Sequence, residues 1–481
     1  MRSNLDWPDS GAPRSARMSD RTAVVVGASI AGLCAARALA AHVDRVVVVE
    51  RDALPEGIAD RGGVPQGRHV HQLLIRGRQQ LESLFPGFEA DMARGGAIDV
   101  DFLRDFATLR PTGWWRPVSS GFRTIAASRT LIESVIRTRL RTHGNVVFRE
   151  RSDVRGLVLD IPPRRVRAVT LVPRDGGPAE DLPATLVVDA CGRATRAPEW
   201  FHALGLPAPD ESVVDAHTGY ATRWYRAPSR RPSEWWWKGV WIDPVDLDHD
   251  LAGVLSPVEG DRWIATIGGA ASLLPETDPA GFQAAMRRLR SPLIADVLAQ
   301  AEPLSPVYGT RETANRFRHY ERWPVRLAGF IAIGDAACKF NPVYGQGMTT
   351  AALSADLLGR LAGEMTVQHR DLPERFFRAQ ARLARAPWSM ATGADFRFPG
   401  TTGQRPPLLG LTTRYMDALF AATGDDETLR RTLGTVIHML RPPRDLFAPT
   451  TVLRVLRATV RGPLPSPTYD EITSAHAQLA A

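Results

Sequence analysis

The chain has 481 residues, of which 44% are hydrophobic and 23% charged, proportions typical of a soluble globular protein with two or three domains. The net charge is +8, but the basic residues are almost all arginines spread along the chain, so we expect no nucleic-acid binding. Three scattered cysteines predict neither a disulfide framework nor a zinc site, and thus a cytoplasmic protein. No apolar run is long enough for a membrane span, and polar residues 1–20 predict a disordered leader.

The first predicted elements form a strand, a turn and a helix. Residues 24–26 are apolar and β-branched, which predicts a buried parallel strand. Gly27 then permits a tight turn into a helix over residues 30–41, whose N-terminal amides would bind a pyrophosphate. Gly32 allows the helix to pack closely on the strand, and Ser29 stands where the dinucleotide fingerprint has its second glycine.

An acidic residue completes this pattern. Residues 46–49 predict a second buried strand, and Glu50 follows it about twenty residues after the glycines. A carboxylate at that place accepts hydrogen bonds from the ribose of an adenosine. The segment therefore predicts a dinucleotide site.

A second stretch lies about three hundred residues downstream. Residues 330–333 predict a strand that ends at Asp335, a short carboxylate suited to the hydroxyls of a ribityl chain. Gly345 and Gly347 open a helix that extends to about residue 361 and would direct free amides at the N1–C2 edge of a flavin. The two stretches together predict FAD.

Two arginines between these stretches are candidate contacts. The loop over residues 61–74 contains Arg68 and His71. This loop either contacts the cofactor or is merely structural. A helix is predicted over residues 72–85. Arg129 lies in the first turn of a later helix, where the helix dipole disfavours a cation. Its partner is either the cofactor pyrophosphate or a surface carboxylate.

Residues 213–305 are rich in strands and tryptophan. Strands are predicted over residues 218–225, 235–241 and 263–267. A sheet of this aromatic density either walls an apolar pocket or fills a core. Candidate pocket residues are Trp224, Trp237, Trp241 and, from the second stretch, Tyr344.

The predicted fold class is α/β, with a Rossmann-like FAD-binding domain of the glutathione-reductase-2 (GR2) type, an interleaved β-sheet substrate domain and a helical C-terminal region. The Pro-rich stretch over residues 441–467 has no recognisable chemistry. No nucleophile or metal motif is present, so we expect the cofactor to carry the chemistry, with no catalytic side chain and no metal. The predicted boundaries are 21–90, 125–210 and 306–365 for the FAD domain, 91–124 and 211–305 for the substrate domain, and 366–481 for the helical region.

Over about residues 20–365 the chain resembles the flavoprotein monooxygenases of the para-hydroxybenzoate hydroxylase superfamily. The motifs at 63–71, 84–87, 187–193 and 340–348 are most similar to the bacterial polyether epoxidases of the monensin and lasalocid type. The resemblance implies cofactor contacts at Gly27, Ser29, Ile30, Ala31, Gly32, Glu50, Arg51, Arg68, His71, Arg129, Val154, Asp335, Pro342, Gly345, Gly347 and Met348.

The resemblance also implies an activity. Members transfer one atom of O₂ through a flavin C4a-hydroperoxide, and the subgroup epoxidises alkenes, here of a lipophilic polyketide or terpenoid in antibiotic or other secondary metabolism. NADPH or NADH would supply electrons. Cys191 replaces the aspartate of the superfamily's Asp-Gly motif, so a partner flavin reductase could supply them instead.

Four alternatives remain. Phenol hydroxylation uses the same chemistry but benefits from a base. An alkene-reducing flavoprotein and a non-enzymatic FAD-binding protein are further alternatives. A flavin halogenase typically has a Trp-x-Trp-x-Ile-Pro motif and a catalytic lysine, and the spacing over residues 237–244 departs from that motif.

Overall fold

A computed structural model describes residues 21–480 except 163, 248, 271, 272, 274, 275, 463 and 464, so the predicted leader lies outside the described residues. The strands are β1 (Thr22–Val26), β2 (Arg45–Val49), β3 (Ile98–Val100), β4 (Phe106–Arg110), β5 (Gly113–Trp114), β6 (Thr124–Ala126), β7 (Val146–Arg149), β8 (Ser152–Asp160), β9 (Arg165–Pro173), β10 (Glu180–Pro183), β11 (Leu186–Asp189), β12 (Glu211–Val214), β13 (Gly219–Arg226), β14 (Gly239–Ile242), β15 (Ala252–Val258), β16 (Arg262–Gly269), β17 (Glu302–Pro303), β18 (Tyr308–Thr310), β19 (Asn315–Arg318), β20 (Phe330–Ala332) and β21 (Cys338–Lys339).

The helices alternate with these strands in the first two thirds of the chain and follow one another after β21. They are α1 (Ile30–Leu39), α2 (Ile75–Leu84), α3 (Phe88–Arg94), α4 (Phe102–Asp105), α5 (Arg129–Arg141), α6 (Ala197–Ala203), α7 (Pro279–Arg287), α8 (Leu293–Leu298), α9 (Gly347–Met365), α10 (Leu372–Asp395), α11 (Leu409–Ala422), α12 (Glu427–Ile437), α13 (Pro449–Arg461) and α14 (Tyr469–Ala480).

A five-stranded sheet with the order β20-β11-β1-β2-β7 forms the first layer, and its strands pair in parallel. The strands at its centre are buried valine runs, as expected for a sheet covered on both faces. The carboxyl ends of parallel strands meet at one edge. The loops after β1, β2, β11 and β20 therefore come together there, although they are far apart in sequence. The predicted α/β class with a parallel sheet is confirmed.

The second large sheet has the order β17-β13-β16-β15-β14-β4-β5, and β18 also pairs with β13. Side chains alternate between its two faces. One face, which includes Leu255 and Ala265, packs under α7 and α8 in a separate core. The opposite face includes Thr222, Thr266 and Trp241 and is directed at the loop that contains His69, whose ring Nδ1 lies 2.9 Å from the Thr222 hydroxyl. We call it the inner face.

Two details differ from the sequence prediction. The predicted strand over residues 235–241 begins only at Gly239, because Trp235 and Trp237 fill the core against Trp263 instead of alternating across a sheet. The helix predicted over residues 72–85 begins at Ile75, because Leu74 before it has an extended backbone. The Pro-rich stretch over residues 441–467, within the region predicted to be helical, contains α13, which begins at Pro449, a position that tolerates proline.

Among the described residues, no helix has both the length and the apolar content needed to cross a membrane. The same part of the chain contains no cluster of histidine, cysteine and acidic side chains that could hold a metal ion.

Candidate active site

The turn between β1 and α1 leaves no room for side chains. Gly27 has a φ of +105°, and a Cβ at this position would lie 2.6 Å from the Ala190 carbonyl oxygen. A Cβ at Gly32 would lie 1.8 Å from the carbonyl oxygen of Gly27. Ile30 and Ala31 form the first turn of α1, and the Ser29 side chain does not cap the helix. The amides of this turn thus face a site that can hold an anion.

Glu50 directly follows β2 and lies beside this turn. Its carboxylate is 6% exposed and accepts hydrogen bonds from the amide of Ala28 at 2.8 Å and from that of Asp52 at 3.1 Å. Arg51 is exposed, with a long contact of 3.5 Å to the Gly63 carbonyl. Val154 is buried in the core. Glu50 is thus fixed at the edge of the sheet by the backbone of the turn itself.

Arg61 is a site residue that sequence reasoning missed. It lies in the loop after β2, and its guanidinium pairs with Glu50 at 2.9 Å and with Glu133 at 2.9 Å. It also donates to the Ala28 carbonyl at 3.0 Å. Burial opposes its charge, but the two glutamates outweigh burial and raise the pKa of Arg61. Nothing in the sequence of its loop marks Arg61, because Glu50 and Glu133 lie in other segments of the chain.

Arg129 lies at the start of α5 and reaches the same turn. Its guanidinium donates to the Ser29 hydroxyl at 2.8 Å and lies 3.5 Å from Nε2 of His71. Burial lowers its pKa, its Nε has no hydrogen-bond partner, and no ion pair to a carboxylate is present in the described part of the chain. Of the two partners left open by the sequence, this geometry favours a bound anion.

His71 is held in one tautomer. Its Nδ1 lies 3.0 Å from the carbonyl oxygen of His69, which can only accept, so Nδ1 donates and Nε2 presents its lone pair to Arg129. Burial and the nearby Arg129 lower the pKa of His71 to about 3. The neutral ring thus orients the arginine without adding a second positive charge.

The second predicted stretch lies across from this group. Asp335 follows β20, and its carboxylate has no hydrogen-bond or ion-pair partner within the described residues. Burial raises its pKa, and Arg129 and Lys339 oppose that effect. A Cβ at Gly347 would lie 3.8 Å from Asp335 Oδ1, which places the start of α9 directly beside the carboxylate. Gly345 has a φ of +66° and contacts Gln72, while Met348 is buried and Pro342 exposed.

The predicted pocket tryptophans lie on both sides of the second sheet, and not in one pocket. Trp224 and Trp241 lie on the inner face, and Trp224 donates from its indole to the Arg68 carbonyl at 2.8 Å. Trp237 is 1% exposed within the other core, and its indole donates to the hydroxyl of Tyr469 at 2.9 Å. The Arg68 guanidinium lies over the ring of Tyr308, away from Arg129. Trp237 is therefore a core residue in this structure.

The inner face has a polar centre. His69 bonds to Thr222, whose hydroxyl lies 2.8 Å from that of Thr266 on the neighbouring strand. Burial and Arg68 lower the pKa of His69 to about 4. A cavity of about 860 Å³ opens beside His69 and Tyr220, a volume within the range of small-molecule sites.

The C-terminal helices reach this site through one buried carboxylate. Asp395, at the end of α10, accepts hydrogen bonds from Tyr344 at 2.6 Å and Asn341 at 3.0 Å, and also from Asn315. Burial raises its pKa to about 6. Tyr344 and Asn341 immediately precede the glycines that open α9. Asp395 therefore fixes the loop that leads into that helix.

These residues fit FAD. The unpaired Nε of Arg129 and the open start of α1 suit a pyrophosphate, and Glu50 lies where an adenosine ribose would bind. The free Asp335 carboxylate suits ribityl hydroxyls, and Gln346 adds a buried Oε1 without a partner next to the α9 amides. A dinucleotide would thus contact Arg129, Asp335 and Gln346, which keep polar atoms without a partner among the described residues.

No family model matches the chain. Over 398 residues, 80% of this chain and 82% of the relative, it is 33% identical to Protein Rv3254 of Mycobacterium tuberculosis. The chain belongs to the Rv3254 family.

Several solved structures are similar in fold to this member of the Rv3254 family. The flavin-dependent brominase Bmp2 aligns with 91% of this chain and 98% of its own, with a TM-score of 0.64 and 15% identity. PqsL of Pseudomonas aeruginosa, a probable FAD-dependent monooxygenase, aligns with 86% and 99%, with a TM-score of 0.56 and 15% identity. The flavin-dependent halogenase CmlS aligns with 96% and 78%, with a TM-score of 0.60 and 17% identity. The fold is therefore that of FAD-binding flavoproteins.

Proposed function

We propose that the chain is an FAD-dependent monooxygenase that transfers one atom of O₂ to an alkene of a lipophilic polyketide or terpenoid. The observation that carries the cofactor assignment is Arg129, a half-buried guanidinium at Ser29 whose buried Nε has no partner and which forms no ion pair with a carboxylate among the described residues. A charged nitrogen withdrawn from water without a partner is costly unless an anion binds to it. When bound, FAD supplies the redox chemistry, with electrons from NADPH or NADH directly or through a reductase.

The protein's own residues then have three tasks. Arg129 and the first turn of α1 bind the pyrophosphate, and Asp335 holds the ribityl chain. The amides at the start of α9 would stabilise the negative charge that a bound flavin acquires on reduction. The inner face, with Trp224 and Trp241, excludes water and holds the substrate against the cofactor.

Phenol hydroxylation is the second candidate, because His69 offers a neutral imidazole on the inner face. Its Nε2 has no hydrogen-bond partner in the part of the chain that the structure describes. With a pKa of about 4, however, His69 is a poor base for a phenol, whose pKa is about 10. An alkene needs no base. The low pKa of His69 therefore supports epoxidation over phenol hydroxylation.

The lysines weigh against halogenation. The chain has two, Lys238 and Lys339. Lys238 donates to the Asp99 carbonyl at 2.7 Å and pairs with Asp105 at 2.9 Å. Lys339 donates to the Glu312 carbonyl at 3.0 Å. Both ammonium groups are thus bound to protein oxygens, and neither lies on the inner face.

The test offers three substrates to one enzyme preparation. The chain is loaded with FAD and reduced with NADPH, NADH or a separate flavin reductase. It is then given O₂ with a polyene, with a phenol, or with bromide and an electron-rich arene. Epoxide formation alone supports the proposal. Hydroxylated phenol without epoxide would favour the second candidate, and a brominated product would overturn the assignment to oxygen transfer.

A further inference from the structure

Exposed apolar side chains are concentrated in the C-terminal helices. Large hydrophobic residues are mostly buried elsewhere in the described chain, yet six between residues 408 and 460 are between 46% and 88% exposed. These six are Leu408, Leu411, Phe447, Leu453, Leu456 and Val460. An apolar patch of this kind on a folded protein indicates an interaction site.

Helix α13 has two stripes that face solvent. Leu453, Leu456 and Val460 have the spacing i, i+3 and i+7, which places them along one side of the helix. Arg454, Arg457 and Arg461 have the same spacing, shifted by one residue, and form an adjacent basic stripe. A third side, with Val455, is buried. The protein core thus covers only part of the apolar surface of α13.

Helix α11 packs on α13 and extends the patch. Leu408 and Leu411 project from its N-terminal end with 75% and 68% exposure. One turn later, Tyr415 stacks on Phe447 with ring centroids 5.0 Å apart. We call the exposed apolar side chains of α11, α13 and Phe447 the C-terminal patch.

The charge around the C-terminal patch is positive. Arg454 forms an ion pair with Asp426, and Arg461 forms one with Asp425. Arg414, Arg444 and Arg457 are exposed, and among the described residues none of the three forms an ion pair. An exposed aliphatic stripe beside unpaired arginines is the surface that binds anionic lipid headgroups while inserting its apolar side chains among the acyl chains.

We propose that the C-terminal patch docks the protein on the surface of an anionic lipid bilayer. The aliphatic residues enter the interface, and Arg414, Arg444 and Arg457 contact phosphate groups. This docking follows from surface composition alone and does not depend on the proposed function. A second copy of the chain would instead need acidic groups facing these arginines, and Asp425 and Asp426 beside α13 already form ion pairs with Arg461 and Arg454.

The test is sedimentation with vesicles of phosphatidylcholine alone or mixed equally with phosphatidylglycerol. We expect binding only to the mixed vesicles, and we expect it to weaken when NaCl is raised from about 0.1 M to about 0.5 M. The variant Leu453→Gln/Leu456→Gln/Val460→Gln should bind at least about tenfold more weakly. The matched control Ile58→Gln/Val245→Gln/Leu304→Gln removes exposed aliphatic residues elsewhere and should bind like the unmodified chain.

A second variant separates charge from folding. Arg444→Glu/Arg457→Glu leaves the apolar stripe intact and should also lose binding to the mixed vesicles, with an unchanged melting temperature. Equal binding to both vesicle types, or equal loss in the control variant, would overturn the proposal. So would a stable dimer that does not sediment with vesicles and that becomes monomeric in the Leu453→Gln/Leu456→Gln/Val460→Gln variant.

Discussion

The hydroxyl of Tyr344 donates a hydrogen bond of 2.6 Å to Asp395, although 51 residues separate the two along the chain. The same carboxylate accepts from Asn341 and Asn315. One acidic side chain of the C-terminal region therefore holds the loop that precedes α9. Helix α10 thus takes part in building the candidate cofactor site.

Asp395 predicts a specific pH dependence. Its pKa is raised from 3.8 to about 6, so its contribution to the free energy of unfolding is present below pH 3.8 and is lost as the pH rises through about 6. The shift corresponds to about 3 kcal/mol. The melting temperature of the unmodified chain should therefore fall between pH 4 and 6, and this fall should be absent in Asp395→Asn. The exposed Asp417→Asn variant should keep the profile of the unmodified chain.

Gly32→Ala should remove FAD binding. The added Cβ would lie 1.8 Å from the Gly27 carbonyl oxygen, so α1 must move away from the turn that binds the pyrophosphate. We expect FAD affinity to fall by about a hundredfold or more. Gly393→Ala is the matched control, because it also lies in a helix but has open space around it. A fully loaded, yellow Gly32→Ala protein would contradict the cofactor assignment.

Arg129→Met tests the anion partner of the half-buried guanidinium. Loss of a charge-assisted contact to the pyrophosphate should weaken FAD binding by about tenfold to a hundredfold in a fluorescence titration. Because Arg129 is half-buried without a carboxylate partner in the described chain, the melting temperature of the FAD-free protein should stay the same or rise. A strongly destabilised FAD-free variant with normal affinity would show a structural role instead.

Arg61→Gln should act in the opposite way on the FAD-free protein. It leaves the buried Glu50 without its cation and leaves Glu133 with only the longer ion pair of 3.8 Å to Arg137 among the described residues, which should cost about 3 kcal/mol in the free energy of unfolding. Arg61→Gln/Glu133→Gln also removes one of the two carboxylates and should recover part of that loss. Chemical denaturation of the three proteins measures both effects. Additive destabilisation in the double variant would exclude the pairing.

The sequence predicted the parts of the site that depend on short segments. The turn at Gly27, the acid at Glu50 and the start of α9 at Gly345 each follow from a strand, a glycine and a helix that are adjacent in the chain. Their meeting at one sheet edge follows from parallel pairing. Local sequence patterns were therefore enough to predict the fold class.

The remaining contacts join distant segments and leave no local signal. Arg61 meets Glu133 across 72 residues, and nothing in the loop sequence distinguishes Arg61 from its arginine neighbours. Trp237 and Trp241 look equivalent in sequence, but one fills a core and the other lies on the inner face.

Isotope labelling identifies the source of the transferred oxygen atom. The FAD-loaded, reduced chain is given a polyene with ¹⁸O₂ in ordinary water, and the product is analysed by mass spectrometry. We expect an epoxide with one labelled oxygen atom for each transfer. An oxygen derived from water, or turnover that proceeds equally without FAD, would rule out FAD-dependent transfer from O₂.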